Sequence, residues 1–516
     1  MLPEFRNEPY TDFTQADNQR QMKAALEAVS GKLGKEYDLI IGGNKVKAPE
    51  RFNSINPSQK DQTVGVFQKA SVKEAERALQ TALETFPGWS RVGVAERAEY
   101  LFRAAAAMRR RRMELDAWMV LEEGKNWLEA DADVAEAIDF LEFYGREMIR
   151  LAGEQPLTAV PKEKNELIYI PLGVGVVIPP WNFPLAILTG MTSAALVAGN
   201  TVVLKPSSDS PAMGYLFMEI MEEAGLPPGV VNFLTGSGSA IGDTLVGHPR
   251  TRFISFTGSK AVGLSIVELA TKTAPGQIWI KRVIAEMGGK DAIVVDQETD
   301  LDRAAEGVKA AAFGFQGQKC SACSRAIVLE DVYDRFLELL VEKTGTITVG
   351  DVADQENYMG PVINQRAMNS IMEYIEIGKK EGRLITGGGT AGEGGFYIQP
   401  TIIADVNPQA RIAQEEIFGP VLAVIKARDF DHALQIANDT EYGLTGAVYS
   451  DNRDKVEKAK KIFHCGNLYI NRKCTGALVG GHPFGGFNMS GTDSKAGGRD
   501  YLLLYTQAKS ISEYIG

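Results

Sequence analysis

From Leu167 to Leu204 the chain carries no charged side chain. A run of that length suits a membrane span. Here, however, Pro171, Pro179, Pro180 and Pro184, with Asn182 and several glycines, cut it into short pieces. A proline inside a helix costs about 3 kcal/mol, so the stretch reads as buried strand, loop, helix and strand. Segments enclosed on every side are what a parallel sheet covered by helices requires.

The surrounding rhythm agrees. Glu96 to Ala107 and Val134 to Ile149 place apolar residues at helical spacing. From residue 166, β-rich runs (IYIPLGVGVVI, TVVLKP, VVNFLTG, RFISFTG) alternate with helical segments such as Pro211 to Ala224. A second alternating series begins near Lys290 with DAIVVD and a helix from Leu301. It continues through SRAIVLE, a helix from Val332 and PVLAVIKA to NLYIN. A last strand-like run, AKSISEY, follows a polar break. Alternation of this kind predicts parallel βαβ units, hence an α/β chain of two domains with a small extra sheet. Residues 1–36, polar and partly helical, read as an N-terminal arm.

At 516 residues the chain has length for roughly three domains. A net charge of −11 argues against nucleic-acid or anionic-membrane partners, which need a basic face. Four cysteines make no disulfide framework, so a reducing compartment is expected. The opening MLPEFRNEPYTDF lacks the basic segment and apolar run of a signal peptide, so the expected location is the cytoplasm.

Three glycine-rich turns compete as phosphate sites. Gly173-Val174-Gly175 lies in a strand run with no helix start behind it, and fails the context test. Gly236-Ser237-Gly238 opens a helix but reads first as an ordinary strand-to-helix turn. Phe256-Thr257-Gly258-Ser259, with Gly263 one turn on, ends a strand and starts a helix whose N–H groups and dipole suit a pyrophosphate.

Cys320 stands in Gly317-Gln318-Lys319-Cys320-Ser321-Ala322-Cys323, where the helical pattern turns at Gly317. Its neighbours are polar, and polar surroundings favour the nucleophilic thiolate. Cys320 and Cys323 also have the spacing of a redox dithiol. Zinc finds less support: Cys465 and Cys474 form no second pair, and the four histidines show no ligand spacing, so no metal is expected. In Ala285-Glu286-Met287-Gly288-Gly289-Lys290 a carboxylate precedes a glycine pair and a strand. A thioester on Cys320 would need such a base to activate water.

Together these stretches resemble the aldehyde dehydrogenase superfamily from about residue 40 onward. The matching motifs are Pro180-Trp181-Asn182-Phe183-Pro184, Leu204-Lys205-Pro206, Phe256-Thr257-Gly258-Ser259, Glu286-Met287-Gly288-Gly289-Lys290, Gly317-Gln318-Lys319-Cys320, Glu416-Ile417-Phe418-Gly419-Pro420 and Pro483-Phe484-Gly485-Gly486. The resemblance implies a Rossmann-like NAD(P) domain (37–145 and 165–285), an α/β catalytic domain (286–487) and a small oligomerisation sheet (146–164 and 488–516). It also implies a homo-oligomer, a dimer or larger. It makes Cys320 the nucleophile, Asn182 with the Cys320 N–H the oxyanion hole, and Glu286 the base. Lys205 would bond the adenosine ribose, Gly258 and Ser259 would face the pyrophosphate, and Glu416 would hold the nicotinamide ribose. Phe418 would lie beside the nicotinamide, with Pro180 and Trp181 along the cofactor.

Within the superfamily the sequence is most similar to the branch that oxidises L-glutamate γ-semialdehyde, formed from 1-pyrroline-5-carboxylate, in proline and arginine catabolism. That likeness gives the α-carboxylate to Ser321 and the backbone of Gly476 and Ala477. Phe183 and Phe484 become aromatic walls, and Glu136 a carboxylate at the pocket mouth. A helix-surface charge is the plainer reading of Glu136. Two rivals stay open: another specificity such as succinate semialdehyde, whose pocket usually offers an arginine, and a non-catalytic structural relative. At the position where strongly NAD-preferring members carry a glutamate, this chain has Ser208. NADP is therefore expected to be accepted beside NAD, with Asp209 used as a helix cap. Cys323 is close enough in sequence for an oxidative disulfide with Cys320.

Overall fold

The computed structural model describes residues 2–516. Two seven-stranded sheets carry most of the chain. The first runs Arg282–Glu286, Phe253–Thr257, Val174–Ile178, Thr201–Leu204, Val231–Phe233, Leu39–Ile41, Asn44–Val46 across its width. Its first five strands are parallel and the last two antiparallel additions. Thr201–Leu204 and Val231–Phe233 are buried at every position, as strands covered on both faces must be.

The charge-free stretch behaves as its composition requires, with one difference. Helix Ala186–Val197 is buried almost all round, because it fills the space beside the sheet. The run IYIPLGVGVVI is two strands, not one. Glu163–Pro171 pairs antiparallel with Thr506–Tyr514 in a separate two-stranded sheet, and Val174–Ile178 enters the first large sheet. Leu172 and Gly173 make the break, pinned by the Asn200 side chain, which accepts from both backbone N–H groups at 2.8 and 2.9 Å. Alternation of side chains says nothing about such a change of sheet.

The second sheet runs Arg383–Thr386, Thr401–Ala404, Val421–Ala427, Cys323–Leu329, Asp291–Val295, Thr445–Tyr449, Asn467–Ile470, parallel except for the first. Side chains alternate between faces along each strand. Ile293 and Val295 pack with helices Leu301–Phe313 and Tyr333–Thr344, while Ala292 and Val294 pack with Gln365–Glu381 and Phe430–Asn438. The chain crosses from the first sheet to the second at Met287–Lys290.

Helix Trp127–Leu151 is capped by Asn126, whose side chain accepts from the Glu129 N–H at 3.0 Å. Helix Ala16–Ser30 buries Met22, Leu26 and Val29 in the largest core cluster. Among the described residues no helix is long and apolar enough to cross a membrane.

Candidate active site

The loop that carries Cys320 follows helix Leu301–Phe313. The turn starts earlier than Gly317: Phe315, Gln316 and Gly317 all have left-handed backbone, at φ of 49°, 57° and 68°. Such conformations persist only where surroundings enforce them. The Gln316 amide does so by donating to the carbonyls of Gly124 and Pro361 at 3.0 and 2.7 Å. Gln318 accepts from the Ile363 N–H at 2.9 Å. The loop is thus fastened to neighbouring elements just before Cys320.

The Met287–Lys290 crossing passes against this loop. A Cβ on Gly288 would stand 2.1 Å from the Glu416 carboxylate, and one on Gly289 would stand 2.4 Å from the Cys320 carbonyl. At Gly289 the obstacle is backbone, so no larger residue fits there without a shift of the Cys320 loop. The Gly289 N–H donates to Glu416 at 3.0 Å, so Glu416 is aimed at the junction between the two sheets.

Cys320 and Glu286 share one cavity of about 850 Å³, counting the space at its mouth. Its walls include Ser321, Gly476, Ala477, Phe183, Phe484 and Glu136, so every residue given to the substrate by resemblance meets Cys320 and Glu286 there. Glu136 is therefore no helix-surface charge. Burial, then the charges of Asp133 and Asp139, pushes its carboxyl up to about 8. Tyr501, Met191 and Thr257 also line the cavity and were not legible in the sequence.

The expected thiolate is corrected by the structure. Burial, followed by the negative fields of Asp291, Glu416 and Glu286, holds the Cys320 thiol well above the ordinary range. Polar neighbours in sequence did not bring a cation to the thiol; the charged groups that reach it in space are carboxylates. Cys323 lies on the next strand, its thiol directed to the Arg325 carbonyl and neighbouring Cys474. All four cysteines are free.

Glu286 ends the outer strand of the first sheet. The Gly486 N–H donates to one carboxylate oxygen at 3.2 Å and the Ser494 hydroxyl to the other. Burial dominates these bonds and raises the carboxyl to about 7, a suitable value for a base at neutral pH. The Asn182 amide donates to the Gln318 carbonyl at 3.0 Å, leaving its second N–H available beside the Cys320 loop.

Along the other face of the junction, Trp181 packs edge-on to Phe418, ring centroids 5.6 Å apart, and both Pro180 and Trp181 are half-buried. Ser259 precedes helix Lys260–Thr271 and gives it no side-chain cap, so that helix start keeps free N–H donors beside Gly258. Lys205 is buried and bonds only the Pro206 carbonyl, at 3.2 Å; desolvation pulls its ammonium down to about 8. Ser208 donates to the Gly236 carbonyl at 3.1 Å. Asp209 is not a helix cap: it accepts from Asn364 at 3.0 Å. The helix instead begins at Pro211, and its first N–H groups, those of Ala212 and Met213, are taken by the buried carboxylate of Glu122.

A profile described as the aldehyde dehydrogenase family matches residues 44–511. The chain belongs to the aldehyde dehydrogenase family. Among its relatives in that family is the 1-pyrroline-5-carboxylate dehydrogenase of Geobacillus thermodenitrificans (strain NG80-2), 62% identical over 99% of this chain and 100% of the other. A crystal structure of 1-pyrroline-5-carboxylate dehydrogenase from Thermus with bound NAD superimposes with a TM-score of 0.98 at 50% identity, covering 99% of both chains. Proline utilization A from Bdellovibrio bacteriovorus is 46% identical with a TM-score of 0.98, over 99% of this chain and 53% of that longer one.

Proposed function

We propose that this aldehyde dehydrogenase oxidises L-glutamate γ-semialdehyde, from 1-pyrroline-5-carboxylate, to L-glutamate with NAD, in proline and arginine catabolism. The observation that carries it is the single cavity in which Cys320 and Glu286 face Ser321, Gly476 and Ala477. Neutral donors in an enclosed site can hold a carboxylate without a buried counter-ion. The identity of the Geobacillus and Thermus enzymes over nearly the whole chain supports the same substrate.

The residues present fit a dinucleotide. The uncapped start of Lys260–Thr271 suits a pyrophosphate, and Lys205 is a buried ammonium without an anionic partner in hydrogen-bond contact. Glu416 would hold the nicotinamide ribose beside Phe418 and Trp181. When bound, the oxidised nicotinamide supplies a hydride acceptor and a positive charge.

Once its thiol proton has passed to water, Cys320 attacks the aldehyde carbon while Asn182 and the Cys320 N–H hold the oxyanion; one such donor is typically worth about 3–4 kcal/mol. Loss of hydride from the thiohemiacetal leaves a thioester on Cys320. Glu286, poised near neutrality, removes a proton from water, and the hydroxide cleaves the thioester to release the acid. Ser321 and the backbone of Gly476 and Ala477 anchor the α-carboxylate, with Phe183 and Phe484 along the aliphatic chain and Glu136 at the mouth.

We extend the reading to domains and assembly. Residues 37–145 and 165–285, less the strand ending at Pro171 that pairs with Thr506–Tyr514, hold the cofactor, and 286–487 supply the nucleophile. The outlying strands Glu163–Pro171 and Thr506–Tyr514, with Ile168 and Tyr514 exposed, join copies into a homo-oligomer. Four free cysteines fit the reducing cytoplasm.

NADH formation from a panel of short aldehydes tests the substrate. Glutamate semialdehyde is expected to give the highest kcat/KM. A higher value for succinate semialdehyde would replace the substrate, and silence on the whole panel would overturn the enzymatic reading.

A further inference from the structure

Lys125 lies between helices Arg112–Glu123 and Trp127–Leu151 and is fully buried. Its ammonium is 3.0 Å from the Asp133 carboxylate, also fully buried. No acceptor is aligned for a hydrogen bond with it. Besides the fields of Glu123, Glu129, Asp133 and Glu136 it meets two aromatic rings: the nitrogen is 4.2 Å from the Phe183 ring centroid and 4.4 Å from that of Phe315. Both distances are within cation–π range, and the attraction grows when the cation is desolvated.

The two rings belong to the two loops whose spacing decides the chemistry. Phe183 follows Asn182 directly, and Phe315 opens the left-handed turn that leads to Cys320. Asp133 ties the first loop again, since its second oxygen accepts from the Ala186 N–H at 2.6 Å, where the helix after Phe183 begins. The second loop is tied by Lys319, which bonds both oxygens of Glu129 at 2.7 and 2.6 Å. Glu129, Asp133 and Glu136 recur at the spacing of one helix face. That face therefore meets the nucleophile loop, the Asn182 loop and the substrate cavity in turn.

A buried ion pair is weak evidence for stability, since an apolar replacement of the same shape is often no worse. We infer that Lys125 is a positioning residue, which holds Phe183 and Phe315 on one cation and so keeps Asn182 opposite Cys320. This rests on the dehydrogenase reading above.

The test uses the full-length enzyme with NAD and glutamate semialdehyde. Lys125→Met is made together with Asp133→Asn, which neutralises the carboxylate in direct contact with the ammonium, and is compared with Asp133→Asn alone. The first NADH burst is expected to slow about tenfold to a hundredfold, the scale of a small misplacement of reacting groups. KM for the aldehyde and the thermal melt should move little. A burst rate within about twofold of Asp133→Asn, given the roughly tenfold minimum expected, would overturn the inference. Phe315→Leu supplies a second arm, because Phe315 touches Lys125 from outside the substrate cavity. It should also slow the burst at nearly unchanged KM, and combining it with the Lys125 change should add little further. An unaltered burst in Phe315→Leu, or fully multiplying effects, overturns the inference even where the double variant does not fold. Wild-type silence on every aldehyde would overturn the dehydrogenase reading itself.

Discussion

Ser494 gives its hydroxyl hydrogen bond to Glu286 across a sequence separation of 208 residues. That bond and the one from Gly486 lower a carboxyl that burial lifts to about 7. The base works only when deprotonated, so steady-state turnover should rise with pH through about 7 and then level. Ser494→Ala removes a donor that favours the charged form. Its acid limb should move upward by about one pH unit, the scale of one hydrogen bond to a charged group. A kcat profile displaced to lower pH would contradict this.

Cys320 is held as a thiol by burial and by the carboxylates of Asp291, Glu416 and Glu286. In the cofactor-free protein, alkylation of Cys320 by iodoacetamide should be slow at neutral pH and still climbing beyond the ordinary thiol range. Adding NAD should accelerate it, because a positive charge nearby favours the thiolate. A rate already at its plateau near neutral pH without NAD would show that the thiolate is preformed.

Ser321 lines the cavity directly after the nucleophile. Ser321→Ala should lower kcat/KM for glutamate semialdehyde by the equivalent of about 1.5–3 kcal/mol, the usual worth of one hydrogen bond to a charged group. Uncharged aldehydes of similar length should be nearly unaffected. Equal losses for both classes would remove Ser321 from the carboxylate.

Much of this site was written in local sequence, and the exceptions share a cause. The order of short strands and helices announced parallel sheets. Cys320 and Glu286 could be picked out from their own neighbourhoods, whereas the loop at Gly476 was named only through the resemblance. The protonation of Cys320 could not, because its burial and the Asp291 and Glu416 charges come from other elements. Asp209 illustrates the same limit: a good cap by composition, it turns to Asn364, and Glu122 from another helix takes the N–H groups instead. Ser494 and Lys125 carry no local signature at all. The break at Leu172-Gly173 was hidden because both strands it separates are apolar.

Ser208 brings no charge to the place where its hydroxyl meets the Gly236 carbonyl, and Asp209 is engaged by Asn364. NADP should therefore serve as acceptor, with a preference for NAD under about a hundredfold, or roughly 2.7 kcal/mol. Ser208→Glu should depress NADP use selectively. The ratio of kcat/KM values for the two cofactors checks both; a wild-type preference above about ten-thousandfold, or roughly 5.5 kcal/mol, would mean that a negative group faces the 2′ position.

The most direct measurement joins product formation to the nucleophile. Glu286→Gln is mixed with NAD and glutamate semialdehyde, and NADH is followed while Cys320 is analysed by peptide mass spectrometry. With hydride transfer intact and deacylation blocked, the expected result is a burst of about one NADH per site together with a glutamyl thioester on Cys320. NADH released with Cys320 unmodified, or an acyl group carried on another residue, would contradict the covalent mechanism.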